Sequence, residues 1–216
     1  MTKKTNKIQI KTIIFDLGGV LVFYNHMLAA KPMARLVGLS SDKVFKIISS
    51  PDPNSRFANI CEKGAHSEVY WNFAAKKLGI KNFPYKKFNF LWNSIFWPNK
   101  ELLNFLPRLK KKYKIGLISN LGKEHKKYLL KKYDLNKLVN VSIYSCNVKI
   151  RKPSSKIYQT ALNKLGARPE ETIFIDDIEK NLIKAKKLGM HTILFKTNKQ
   201  LFKQLKQLGV RLNDFN

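Results

Sequence analysis

A parallel α/β sheet with a small helical domain inserted after its first strand is the fold class this sequence predicts, and three observations carry it. From about residue 99 to 195, short β-branched runs alternate with helical segments of about ten residues. This is the pattern of strands joined by crossover helices and covered on both faces. Well before that alternation, the run Lys11-Thr-Ile-Ile-Phe-Asp16 is followed by two glycines, so a buried strand ends by presenting a carboxylate at its edge. Between the two regions, residues 25–97 show helical periodicity crowded with aromatics and no strand pattern. The expected division is a core of residues 1–24 and 98–216 around a helical insert of 25–97.

In order along the chain, residues 1–7 are polar and basic, expected to fray, and the first strand runs to Asp16. Gly18 and Gly19 allow a sharp turn, and Val20 to Phe23 carries the chain back under cover. Ser41 can cap a helix bearing Val44, Phe45, Ile47 and Ile48, and Pro51-Asp-Pro53-Asn breaks it. Ser67 to Gly79 forms a second helix, with Val69, Tyr70, Phe73, Ala74 and Leu78 apolar; a third covers about Tyr85 to Phe96. The alternation follows: helix Glu101 to Lys112, strand Lys114 to Asn120, helix Lys123 to Tyr133, strand Val141 to Cys146. Helix Ser154 to Leu165 is stopped by Gly166, strand Thr172 runs to Asp177, helix Lys180 to Leu188 is stopped by Gly189, and a last strand spans His191 to Phe195.

With 216 residues, 44% of them hydrophobic, the chain can bury a substantial core. A formal charge of +28 first suggests a nucleic-acid or anionic-surface partner. Six of the 42 basic residues are arginine, however, and the lysines are scattered rather than clustered. Base-edge reading and bidentate phosphate clamps favour arginine, so no dedicated nucleic-acid partner is expected and the charge steers anionic substrates inward. Cys61 and Cys146 have no metal-type spacing and read as free thiols. The basic start is interrupted by Asp16 and glycines, and no apolar run approaches a membrane span, so a cytoplasmic protein is expected.

Parallel strands end on one shared edge, where open α/β sheets bind ligands. That edge collects Asp16, Ser119-Asn120 and Asp176-Asp177, and three of the chain's 14 acids are among them. Hard carboxylate ligands from two strands, completed by substrate phosphate and water, suit Mg²⁺. Ser119 and Asn120 can hydrogen-bond a phosphoryl group, and Lys152, in Arg151-Lys-Pro153, offers a point charge that also keeps a neighbouring carboxylate ionised. Singly these residues read as an N-cap, an exposed turn and a solvated loop; the combination, in this order on these strands, reads as a site.

The sequence resembles the haloacid dehalogenase-like (HAD-like) hydrolase superfamily, whose core is Rossmann-like. The matches are Ile14-Phe-Asp16-Leu-Gly-Gly-Val-Leu21, Leu117-Ile-Ser-Asn120, Arg151-Lys152-Pro153 with Ile157-Tyr158, and Phe174-Ile-Asp-Asp177 with Asn181 and Gly189. The insert lies where this superfamily's subfamily IA places a helical C1 cap. Glu62-Lys-Gly64, Ser67, Trp71, Trp92, Phe96 and Pro98-Asn99 are similar to the cap of a branch that includes sugar-1-phosphate phosphatases. The resemblance implies a Mg²⁺-dependent phosphomonoesterase acting on a small phosphorylated metabolite through an aspartyl-phosphate. Asp16 would be the nucleophile, with metal held by Asp16, the Gly18 carbonyl and Asp177, supported by Asp176 and Asn181. Ser119, Asn120 and Lys152 would hold the phosphoryl group.

One position departs from the family pattern. Gly18 stands where most phosphatases of this family carry a second aspartate acting as general acid and base. Such help is worth roughly 10²–10⁴-fold. His26, near the expected hinge, is a candidate substitute, and His125 reads as a helix-surface residue. Two alternatives stay open: a dehalogenase-type hydrolase, which needs no second acid but has no use for Mg²⁺, and a catalytically weakened protein that binds a phosphorylated ligand or partner.

Overall fold

The computed structural model describes residues 9–49, 60–81 and 83–212. Five parallel strands form the main sheet: β1 (Thr12–Phe15), β4 (Lys114–Ser119), β5 (Val141–Tyr144), β6 (Thr172–Asp176) and β7 (His191–Leu194), in the order β5-β4-β1-β6-β7. Thr12 pairs with Lys114 on one side and Thr172 on the other, so β1 is central and all four of its residues are buried. Strand alternation divides its side chains between two cores. Ile13 and Phe15 pack with Ile115, Leu117, Ile173 and Ile175, whereas Ile14 packs with Ile118, Ile143 and Phe174.

Helices cover both faces. On the Ile14 face lie α7 (Ser155–Leu165), through Ile157, Tyr158, Ala161, Leu162 and Leu165, and α8 (Glu179–Lys187), through Leu182 and Ala185. On the other face are α5 (Lys100–Lys110), α6 (Lys123–Tyr133) and α9 (Asn198–Gln207), burying Leu102, Leu106, Leu109, Leu129, Leu201 and Leu205. The chain leaves β1 for β4 and β5 on one side and returns to β6 and β7 on the other. This reversal puts a crevice at the carboxyl ends of the central strands, where Asp16, Ser119 and Asp176 lie.

The insert leaves and re-enters the core through a two-stranded antiparallel ribbon, β2 (Val22–Tyr24) against β3 (Phe96–Pro98), with Tyr24 opposite Phe96. Between the two strands come α1 (Met27–Val37), α2 (Ser41–Ile48), α3 (Ser67–Leu78) and α4 (Tyr85–Asn93). Gly79 closes α3 in the left-handed conformation as its signal predicts, whereas α2 is capped one residue earlier than expected: the Ser40 hydroxyl accepts from the Lys43 amide and Ser41 is the first helical residue. Three elements differ from expectation. Helix α1 contains Pro32 and has no side-chain N-cap, so it lacked a start signal, although Gly38 closes it in the left-handed conformation. The third insert helix stops at Asn93, and Phe96–Pro98 is strand, because pairing with β2 overrides the helical pattern. Helix α9, capped by Thr197, adds a C-terminal element that the sequence reading did not assign. The expected break at Pro51–Asn54 and the basic start at residues 1–7 lie outside the described residues.

An aromatic column joins insert to core. Trp71 stacks on Phe88 at 4.5 Å, Phe88 on Trp92 at 5.6 Å, and Trp92 on His125 of α6 at 5.3 Å. Such pairs add about 0.5–1.5 kcal/mol each beyond the area they bury. Polar contacts cross the same seam: Arg151 Nε to Glu62 Oε2 at 2.6 Å and His66 Nε2 to Glu124 Oε1 at 3.2 Å. Among the described residues, no helix is long and apolar enough to cross a membrane.

Candidate active site

Lys152 organises the edge of the sheet. Its ammonium, with only 1% of the side chain exposed, lies 2.8 Å from Asp16 Oδ2 and 2.7 Å from Asp176 Oδ2. Burial works against a charged lysine, but the two carboxylates outweigh it and hold Lys152 above the usual range. The Asn120 side chain fixes the backbone at this point from both directions: its Nδ2 donates to the Lys152 carbonyl at 3.0 Å, and its Oδ1 accepts from the Lys152 amide at 2.8 Å. In this geometry Asn120 aims the lysine. Ser119, at the end of β4, is buried in the same crevice.

The paired acids differ in what surrounds them. Asp176 is saturated: besides Lys152, Oδ1 accepts from the Ile178 amide at 2.8 Å and both oxygens accept from Asn181 Nδ2 at 3.0 and 3.1 Å. Asn181 is held in turn by Tyr158, whose hydroxyl donates to its carbonyl at 2.7 Å. Asp177 has a buried Oδ1 with no hydrogen-bond partner. A buried, unsatisfied carboxylate oxygen is costly, so its neighbourhood is built for a ligand that is not protein.

Charge gives the same indication. Oxygens of Asp16, Asp176 and Asp177 all lie within 4.8 Å of one another, three carboxylates against the single ammonium of Lys152. Burial first, then Asp176, push Asp177 up to about 6. Burial, opposed by Lys152 and reinforced by Asp176 and Asp177, raises Asp16 as well. Excess negative charge on hard oxygens fits a divalent cation such as Mg²⁺.

The Asp177 shift predicts a pH dependence. Between its ordinary value of 3.8 and about 6, the folded protein retains a proton that the unfolded chain has lost. Stability is therefore lost as pH rises through that window in the absence of metal. In chelator, the Tm of Asp177→Asn minus that of wild type should grow from pH 4 to pH 7; a constant difference across thermal scans would contradict the shift.

Gly19 shapes the floor beneath Asp177. Its φ of +77° favours glycine, and a Cβ there would lie 2.1 Å from Asp177 Oδ2. Gly19→Ala should displace that carboxylate, lowering Tm and weakening Mg²⁺ binding measured by calorimetry, while retained affinity would show that Asp177 is not a ligand.

Gly18 has no positive φ, and a Cβ built there would meet the Tyr24 ring at 3.2 Å. Sequence reasoning missed Tyr24, because the tight turn from Leu17 to Val22 and strand β2 bring it back over the glycine only in three dimensions. Burial first, then Asp177 and Asp16, push its phenol up to about 12. The two histidines depart from their sequence readings. His26 is tilted against Trp92 at 5.0 Å, and burial lowers it to about 4, so near pH 7 it has no proton to give as an imidazolium acid. His125 is buried rather than on a helix surface, with Nε2 3.1 Å from the Trp92 carbonyl, and burial lowers it to about 3.

The haloacid dehalogenase-like hydrolase model matches residues 13–195, from β1 through the whole acid-bearing edge. The chain belongs to the haloacid dehalogenase-like hydrolase family. This hydrolase is similar in structure to a HAD family enzyme from Bacteroides thetaiotaomicron in complex with magnesium and inorganic phosphate: 26% identity, TM-score 0.74, covering 88% of this chain and 96% of that one. Among curated proteins it is 31% identical over 115 residues to bifunctional epoxide hydrolase 2 of Rattus norvegicus, covering 51% of this chain and 21% of that protein. It is also 31% identical over 81 residues to (S)-2-haloacid dehalogenase 4A of Burkholderia cepacia, covering 38% and 35%. The match spans far less than two thirds of either curated relative's length.

Proposed function

We propose that this hydrolase is a Mg²⁺-dependent phosphomonoesterase that acts on a small phosphorylated metabolite through an aspartyl-phosphate on Asp16. The observation that carries this reading is the orphaned Asp177 oxygen within a cluster of three carboxylates, Asp16 and Asp176 buried and Asp177 half-buried, served by one lysine. A dehalogenase displaces halide with a carboxylate alone and leaves such an acid excess without a purpose. The Mg²⁺ and phosphate in the Bacteroides relative support the phosphatase alternative.

Asp16, the Gly18 carbonyl and Asp177 would hold the ion, with Asp176 and Asn181 bracing the loop that presents Asp177. Bound there, Mg²⁺ would neutralise charge between the nucleophile and the phosphoryl oxygens. The rest falls to the chain's own groups. The Leu17 amide donates to Asp16 Oδ1 at 2.6 Å and Lys152 to Oδ2, fixing the carboxylate for attack on phosphorus. Lys152 and the Ser119 hydroxyl face the transferring group, and Asn120 positions Lys152. After the alcohol departs, water attacks phosphorus and releases Asp16 and phosphate. The helical insert, tied across by Glu62–Arg151, closes over this edge as a cap and excludes bulk water. Its similarity to the sugar-1-phosphate branch makes a sugar phosphate the substrate class to try first.

Phosphate release from an aryl phosphate should require Mg²⁺, and equal turnover in excess chelator would remove the metal from the mechanism. Asp177→Ala should weaken Mg²⁺ affinity more than Asp176→Ala, because Asp176 is already spent on Lys152, Asn181 and Ile178; calorimetric titration of both variants ranks them directly.

A further inference from the structure

Gly18 removes a side chain from the floor of the site, yet the space above it is filled. A Cβ at Gly18 would find Tyr24 Cε1 at 3.2 Å, tighter than ordinary van der Waals contact, and Cδ1 at 3.6 Å, in ordinary contact. The ring is not loosely placed. It meets His26 edge-on at 5.3 Å and Phe96 at 6.2 Å, and His26 is backed by Trp92 at 5.0 Å. Tyr24 keeps 41% of its surface exposed, on the ribbon joining core and insert. Asp16 borders this space through Leu17 and Gly18, and Tyr24 brings a hydroxyl that can donate a hydrogen bond.

We propose that Tyr24 takes the place of the side chain Gly18 lacks: its ring occupies that volume, and its phenol hydrogen-bonds the leaving-group oxygen. This rests on the phosphatase reading above and deepens it. As Asp16 forms its bond to phosphorus, the bond from phosphorus to the leaving oxygen breaks and its electron pair stays on that oxygen. The departing oxygen keeps the phenolic hydrogen bond and takes its proton from water. A hydrogen bond stabilises an alkoxide less than a full proton transfer does, so the site selects phosphates whose leaving oxygens tolerate negative charge: aryl, acyl and anomeric sugar phosphates over simple alkyl phosphates.

The test compares kcat/KM for aryl and alkyl phosphates in wild type, Tyr24→Phe, Tyr24→Ala, Gly18→Asp and the double variant Gly18→Asp/Tyr24→Ala. Tyr24→Phe, which keeps the ring, should lower kcat about tenfold with KM little changed, more for poorer leaving groups, as expected for one lost hydrogen bond to developing charge. Gly18→Asp alone should gain little because the ring is in the way. The same change made in Tyr24→Ala should raise alkyl phosphate turnover roughly tenfold or more, since the carboxylic acid then has room to donate a proton. Tyr24→Phe matching wild type on every leaving group, or Gly18→Asp acting equally with and without Tyr24, would overturn the role of Tyr24 while leaving the phosphatase reading intact. No phosphate release by wild type from any of these esters would overturn both.

Discussion

Asp16→Asn should lower phosphate release by at least about 10³-fold while leaving the fold intact. The amide has no anionic oxygen with which to attack phosphorus and is a poorer ligand for a hard cation. The fold should survive because Lys152 keeps Asp176 at 2.7 Å, and removing one of three crowded carboxylates relieves repulsion. A thermal scan in chelator should therefore give a Tm at or above that of wild type. A folded variant that retains wild-type turnover would exclude Asp16 as nucleophile.

Lys152→Met should have the largest combined effect on stability and activity. It removes the ammonium lying between Asp16 and Asp176 and leaves their buried negative charge without it. Breaking a buried ion pair from one side costs about 3–5 kcal/mol, and activity should fall with it because the phosphoryl oxygens lose the same charge. The loss should be non-additive: Asp16→Asn/Lys152→Met should be more stable than Lys152→Met, since one of the stranded carboxylates is gone. Denaturant unfolding of the two single variants and the double variant measures this, and simple additivity would show that Lys152 and Asp16 are not energetically coupled.

Much of the core was legible in the sequence because its signals are local. β-Branched runs marked β1, β4 and β6, and their shared direction placed Asp16, Ser119 and Asp176 on one edge. What stayed hidden depends on tertiary contact. Helix α1 carries an internal Pro32 and no side-chain N-cap to mark its start, and its buried Ala29, Ala30, Met33 and Ala34 act through packing. His125 looked like a surface residue until α4 brought Trp92 against it. Tyr24 is eight residues from Asp16 with nothing in its spacing to place it over Gly18; only the tight turn and the pairing of β2 with β3 do that.

The formation of an aspartyl-phosphate on Asp16 can be read directly by quenching the enzyme during turnover with borohydride, which reduces an acyl phosphate to an alcohol, and mapping the peptide that contains residues 12–31 by mass spectrometry. Asp16 should be reduced to homoserine, dependent on both substrate and Mg²⁺, with no reduction in Asp16→Asn. Steady phosphate release with Asp16 unreduced, or with the reduced residue found elsewhere in the chain, would contradict it.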